Sequence, residues 1–305
     1  MSKSILQFIP LLMILTYSCE FNKLFYSPIK IPKKAKGETI VNPKTNDSTI
    51  IKFSSENHQP LFLKTYKDTI DLGFQIESVV FKSESGNKLN GWILKNNNNI
   101  IYPITIFHLH GNGGNLFSQY QLISKLVGKE FQVFMFDYSG YGFSDGNPTR
   151  KNLKDDALSA LKYLKNRKDL NKTKIVIYGQ SLGGNLASKI ANEFDVDGLV
   201  LEGAFSSHKN IAAEKIKIPF VRLLIKEGYS TTKELKKYHK PVLIIHSTDD
   251  QTVPFAMGKN NFRNANQPKY FLEIKKPHLY GTIYYTDSIA NKIKKMISTS
   301  TEGQN

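Results

Sequence analysis

This chain of 305 residues contains one cysteine, Cys19, and one tryptophan. A single cysteine excludes an intrachain disulfide. No segment repeats. The apolar stretch Ile5 to Leu15 is interrupted by Gln7 and Pro10, and it falls short of the about 20 apolar residues that a membrane-crossing helix needs. Acidic side chains are scarce beside basic ones, 26 against 42, which gives a formal charge of +16. That balance suits anionic membrane surfaces or nucleic acid. No nucleic-acid motif accompanies it, and the aromatics are too scattered for a stacking platform, so no nucleic-acid partner is expected. The basic residues spread from Lys33, Lys34 and Lys36, through Lys162, Lys165, Arg167 and Lys168, to Lys292, Lys294 and Lys295. Such a spread describes a solvated basic surface.

Cys19 sits in an informative place. Lys3 precedes the short apolar stretch, and Thr16-Tyr17-Ser18 lead into the cysteine. A basic start, a short apolar region and a small residue describe a signal peptide over residues 1–19. The pattern resembles a bacterial lipoprotein signal, in which the cysteine becomes the lipidated N-terminus. Thr16 and Tyr17 depart from the usual Leu-small-small spacing, and an uncleaved anchor helix remains open. Either way the expectation is an exported, membrane-associated protein on the periplasmic or cell-surface side. Residues 20–76 are expected to be a membrane-proximal segment, with weak strand patterns at Ser48–Phe53 and Pro60–Tyr66.

From Glu77 onward the rhythm is regular. Glu77–Lys82 and Leu89–Lys95 flank a Ser85-Gly86-Asn87 turn and predict a hairpin. Strands are then predicted at Ile104–His110, Gln132–Asp137, Lys174–Tyr178, Gly198–Leu201, Pro241–His246 and Tyr270–Ile274. Helices are predicted at Leu116–Val127, Arg150–Lys168, Leu182–Phe194, Phe255–Phe262 and Asp287–Ile297, and residues 206–240 as a mostly helical cap. This alternation predicts an α/β domain over 77–298 with a mostly parallel eight-stranded sheet, helices on both faces, and a disordered tail over 299–305. In such sheets ligands bind beyond the carboxyl ends of the strands.

The chemistry gathers at those ends. Gly179-Gln180-Ser181-Leu182-Gly183 places a serine between a strand and a helix, where a sharp turn projects its hydroxyl as a nucleophile and close packing demands flanking glycines. A serine nucleophile needs a base and an orienting acid. The strand Pro241–His246 exits into Asp249-Asp250-Gln251-Thr252-Val253-Pro254, and Tyr270–Ile274 exits into Pro277-His278. Asp250 is the candidate acid, with Asp249 and Glu202 as alternatives. His278 is the candidate base, the one histidine after Asp250. The turn His110-Gly111-Asn112-Gly113-Gly114-Asn115 frees backbone N–H groups for an oxyanion hole, assigned to the amides of Asn112 and Leu182. His108 and His110 form H-x-H, but no further ligands lie nearby for a metal, and no cofactor is expected. Asp137 to Gly142 reads as a structural turn beside the site.

These pieces, in this order, resemble the α/β-hydrolase superfamily. Phe25-Tyr26-Ser27-Pro28, Leu89-Asn90-Gly91-Trp92 and Asp137-Tyr138-Ser139-Gly140-Tyr141-Gly142 narrow the likeness to its membrane-anchored serine-hydrolase branch, which includes depalmitoylase-like and serine aminopeptidase-like enzymes. Pro277, where that family often has glycine, is a departure. The resemblance implies hydrolysis of lipid-like or small acyl esters or thioesters, without a cofactor. An amide-cleaving peptidase and a non-catalytic binding protein on the same fold remain open. Ile216, Ile218, Pro219, Phe220, Val221, Leu223, Leu224 and Ile225 give the cap an apolar lip suited to acyl chains.

Overall fold

Ile175 and Ile177 are buried in one apolar cluster, while their neighbours Val176 and Tyr178 are buried in another. Successive side chains on a strand point to opposite faces, so this strand is covered on both sides. The computed structural model describes residues 25–302, except 42–47, 55, 65–67, 99 and 217–218. The leader and Cys19 lie outside the described residues.

The described chain begins with β1 (Ser27–Pro28), β2 (Gly37–Val41), β3 (Ser48–Phe53) and β4 (Pro60–Leu63). Strands β2, β3 and β4 pair antiparallel as a small sheet. β5 (Gln75–Lys82) and β6 (Lys88–Lys95) form the expected hairpin, and Gly86 turns it with φ +84°. β7 (Ile104–Leu109), the two-residue β8 (Gly113–Gly114), α1 (Leu116–Gln119) and β9 (Gln132–Phe136) follow. Next come α2 (Arg150–Asn166), β10 (Lys174–Gln180), α3 (Leu182–Ile190), β11 (Gly198–Glu202), α4 (His208–Lys215), α5 (Val221–Leu224) and α6 (Thr231–Leu235). The chain ends with β12 (Val242–Ser247), α7 (Phe255–Asn264), β13 (Lys269–Ile274), α8 (Gly281–Tyr284) and α9 (Thr286–Glu302).

The main sheet has eight strands in the order β13-β12-β11-β10-β7-β9-β6-β5. The run from β13 to β9 is parallel; β6 and β5 are antiparallel. β7 and β10 lie side by side at its centre, so their carboxyl ends, the turn after Leu109 and the turn after Gln180, come together.

Several expectations change. The helix expected over Leu116–Val127 is one α-helical turn followed by 3₁₀ turns at Tyr120–Leu122 and Ser124–Lys129. Phe117, Tyr120, Ile123 and Leu126 are all buried. A spacing of three matches the 3₁₀ period and not the α period. α3 stops at Ile190 instead of Phe194. α9 continues to Glu302, into the stretch expected to be a tail.

The segment before Glu77 belongs to the body of the molecule. Ile51 and Phe62 from the small sheet are buried in the same cluster as Trp92, and Phe62 meets Trp92 edge-on at 6.3 Å. Burying side chains of this size contributes about 2–3 kcal/mol each. Within 206–240, α6 packs on α3, where Asn185 Nδ2 donates to Thr231 Oγ1 at 2.9 Å.

Candidate active site

β10 delivers Ser181 in a left-handed backbone conformation, φ +53° and ψ −113°. A non-glycine residue there is strained, and the surroundings hold it. Its N–H donates to Glu202 O at 2.9 Å, and its carbonyl accepts from Gly184 and Asn185 inside the first turn of α3. A Cβ at Gly183 would lie 2.0 Å from Leu109 O, and one at Gly179 would lie 2.6 Å from Gly184 Cα. The helix therefore approaches the strands as closely as backbone allows, which is why glycines flank the serine.

His278 Nδ1 and Asp250 Oδ2 are 2.6 Å apart. The other carboxylate oxygen, Oδ1, accepts from the Thr252 and Val253 amides, both at 2.8 Å. Burial pushes the Asp250 carboxyl up, but His278 and the two amides outweigh it and hold the group below its ordinary range. Asp249 is exposed, which resolves the choice of His278's partner in favour of Asp250. Burial pushes His246 down, and its Nε2 meets Val253 O at 2.9 Å, which fixes the same loop.

The backbone of Gly111 packs between the serine and the histidine turn. A Cβ on Gly111 would lie 3.8 Å from Ser181 Cβ and 3.5 Å from Leu279 Cδ1. Neither Ser181 Oγ nor His278 Nε2 has a hydrogen-bond partner among the described residues. Such contacts are often long without substrate and tighten on binding.

The amides of Asn112 and Leu182 donate to no acceptor among the described residues, and both residues line one cavity with Ser181. This cavity measures about 350 Å³, and Phe25, Phe205, Ile211, Ile216 and Val253 make its walls apolar. The turn that carries Asn112 is braced from several sides. Tyr138 Oη donates to His110 O at 3.0 Å, Tyr141 Oη donates to Asn112 O at 2.8 Å, and His110 Nδ1 meets Gly111 O at 2.8 Å. Burial pushes the His110 ring down to about 3, so it is neutral and Nδ1 carries the proton. Asp137 Oδ1 accepts from Leu116 N at 2.8 Å, and burial drives its carboxyl well above the usual range. The Asp137–Gly142 turn is thus a brace beside the site.

His108 Nε2 meets Gln180 Oε1 at 2.9 Å, and burial lowers its ring to about 4. Among the described residues no cluster of three or more His, Cys, Asp or Glu side chains is arranged to hold a metal. His208 is a core residue packed against Phe25, Phe205 and Tyr229.

Glu202 is not the partner of His278. Its Oε1 accepts from Gly281 N at 2.7 Å, and its Oε2 accepts from Gln180 Nε2 at 2.7 Å and Tyr178 Oη at 2.9 Å.

A strained serine between strand and helix, a carboxylate-held histidine and a braced glycine turn thus lie at the carboxyl ends of β10, β13 and β7. A family model for the alpha/beta hydrolase fold matches residues 104–224. The uncharacterized protein YfhR of Escherichia coli strain K12 is 34% identical over 206 residues, covering 65% of this chain and 71% of that protein. The chain belongs to the α/β-hydrolase family. Human alpha/beta hydrolase domain-containing protein 17B is 28% identical over 196 residues, covering 63% of this chain and 65% of that protein. An esterase of Pyrococcus furiosus shares the fold, with a TM-score of 0.64 at 18% identity over 75% of this chain and 92% of its own.

This α/β hydrolase also uses residues that motif reading passes over. Phe25, from the segment expected to be a linker, forms a wall of the cavity. Gly203, with φ +58°, lets the His278 ring lie against the chain; a Cβ there would sit 2.9 Å from His278 Cε1. A glycine directly after a strand exit is the one local signal for the second, and the Phe25 contact has none.

Proposed function

We propose that this hydrolase cleaves carboxylic esters or thioesters through an acyl-enzyme on Ser181. The observation that carries the reading is the 2.6 Å contact between His278 Nδ1 and Asp250 Oδ2, in a turn whose Leu279 and the left-handed Ser181 flank the same glycine, Gly111. His278 takes the Ser181 proton as Oγ attacks the carbonyl carbon. Asp250 keeps the ring in the tautomer that leaves Nε2 free and stabilises the imidazolium. The amides of Asn112 and Leu182 receive the developing oxyanion; one such donor is worth about 3–4 kcal/mol in the transition state. The imidazolium then protonates the leaving alcohol or thiol. Water, deprotonated by His278, releases the acid and restores Ser181.

The apolar cavity of about 350 Å³ favours an acyl group of modest size, since ligand pockets run from about 300 to 1,000 Å³. Side-by-side assays of p-nitrophenyl esters, acyl thioesters and aminoacyl amides test this reading. Ester or thioester turnover that vanishes in Ser181→Ala supports it; amide turnover alone overturns it.

The leader pattern and Cys19 support a further proposal, that the N-terminus ties the enzyme to a membrane on the exported side. Among the described residues no helix is long and apolar enough to cross a bilayer, so the tie would lie in residues 1–24. Detergent phase partitioning of the full chain and of Cys19→Ser tests this, and equal partitioning counts against lipidation.

A further inference from the structure

Glu202 holds both halves of the reacting pair from one position. Its backbone carbonyl accepts the Ser181 N–H at 2.9 Å. Its side-chain Oε1 accepts the Gly281 N–H at 2.7 Å, in the turn that presents His278. The His278 ring rests on the residue after it, Gly203, where any side chain's Cβ would sit 2.9 Å from the ring carbon Cε1.

The carboxylate is itself held rigidly. It is 1% exposed, and Gln180 Nε2 and Tyr178 Oη both donate to Oε2. Because Gln180 spends its amide N–H on Glu202, its Oε1 faces His108, and His108 must donate from Nε2. The chain His108–Gln180–Glu202–Gly281 therefore links β7, β10, β11 and the turn after β13 below the reacting atoms. Three hydrogen bonds on a buried carboxylate fix its geometry.

The histidine turn needs such a hold. Leu279, directly after His278, has φ +63°, a conformation that costs energy for a leucine and persists only when neighbours impose it. β13, the strand before the turn, is at the edge of the sheet, so pairing with a further strand does not fix its exit. The Asp250 contact sets the ring's orientation. After His278 the backbone is held by the Gly281 N–H bond to Glu202 Oε1 and, one residue on, by Thr282 Oγ1 donating to Leu122 O.

We infer that Glu202 is the positioning residue of this active site, a buried carboxylate that locks the His278 turn in register with the Ser181 elbow. The inference rests on the acyl-transfer reading for its kinetic consequence, though the contact it invokes is independent of that reading. A misplacement near 1 Å costs about 100-fold in rate. Glu202→Leu removes the acceptor while keeping apolar volume, so kcat for a p-nitrophenyl ester should fall about 100-fold with KM nearly unchanged. Glu202→Gln keeps a carbonyl for Gly281 but sets its amide N–H against the Gln180 donor. It should restore most of the rate and lose about 3- to 10-fold.

The experiment uses the full chain and pairs kinetics with proton NMR of the low-field resonance from His278 Nδ1–H, the proton in the bond to Asp250. In Glu202→Leu that resonance should shift or broaden, and in Glu202→Gln it should return toward the wild-type position. Should Glu202→Leu fail to fold, the partial loss and partial shift in Glu202→Gln carry the test. Unchanged kcat and an unchanged resonance in both variants would overturn the inference. A wild-type protein that turns over no ester and takes no fluorophosphonate label would sink the acyl-transfer reading instead, and the NMR comparison would still decide the role of Glu202.

Discussion

Ser27 donates its backbone N–H to Asn112 Oδ1 at 2.8 Å. This bond sews the N-terminal strand β1 to the turn that carries the Asn112 amide proposed for the oxyanion. Ser27 and Pro28 pair in parallel with Gly113 and Gly114, and Ile29 N donates to Gly114 O at 3.1 Å. The same segment sends Phe25 into the cavity wall. A stretch that reads as a linker thus finishes the site.

The Asn112 side chain accordingly has a different role from its amide. Asn112→Ala keeps the N–H but removes the acceptor for Ser27, a bond worth about 1 kcal/mol. We expect kcat to fall about tenfold as the turn loosens, while Ser181 still takes a fluorophosphonate label. A stopped-flow ester assay and gel labelling on one sample check both parts, and full kcat would remove the strap from the account.

Phe25→Ala should widen the cavity. For the preferred acyl length kcat/KM should drop by about 1–2 kcal/mol, or roughly 5- to 30-fold, as apolar contact is lost. The optimum should move toward bulkier acyl groups. A p-nitrophenyl series from acetyl to dodecanoyl reads this, and an unchanged profile would mean that acyl chains do not reach Phe25.

Asp250→Asn should leave the serine elbow intact and cut kcat by about 10⁴, because the amide cannot hold the ring in the required tautomer. Asp249→Asn, at an exposed position, should stay within twofold of the wild type. The reverse ranking would reassign the acid.

Gly203→Ala meets two penalties. Its φ of +58° disfavours any side chain, and the new methyl would sit 2.9 Å from His278 Cε1 and 3.1 Å from Nδ1. We expect about 1–3 kcal/mol of lost stability together with a fall in kcat larger than any change in KM. Thermal unfolding and steady-state kinetics test the two parts separately, and a variant equal to wild type in kcat would show that the ring has room to move.

Asp156 gives a pH signature away from the chemistry. Its Oδ2 accepts from Ser139 N at 2.7 Å, and burial raises the carboxyl from 3.8 to about 6. With the folded value above the unfolded one, its contribution is complete below about pH 4 and is lost as pH rises through 6. The span corresponds to about 3 kcal/mol. Asp156→Asn should therefore gain on the wild type by up to that amount between pH 4 and 7, read from urea midpoints across the range. A constant difference between the two proteins would show that Asp156 titrates normally.

The chemistry-bearing residues were legible because their signals are local. Positions where a Cβ would come within 2.0–2.6 Å of neighbouring atoms can be read as glycines flanking a serine, and strand exits can be read from apolar runs that stop at Asp or His. Ser48–Phe53 showed only a faint alternation because the rings that Phe53 packs against, Phe117 and Phe143, lie far along the chain. The run after Leu116 looked α-helical because apolar spacings of three and four are easily confused over so short a stretch.

By itself, the sequence determined the order of strands and helices and placed a serine, an acid loop, a histidine and a glycine turn at successive strand ends. Those are consequences of side-chain periodicity and backbone sterics, which act over a few residues. Tertiary structure alone set His278 against Asp250 and not Asp249 or Glu202, and made a stretch that reads as a linker into a cavity wall. Each of those outcomes rests on burial and hydrogen bonds between residues 28 to 85 positions apart, and a partner's distance in space has no local imprint on the chain.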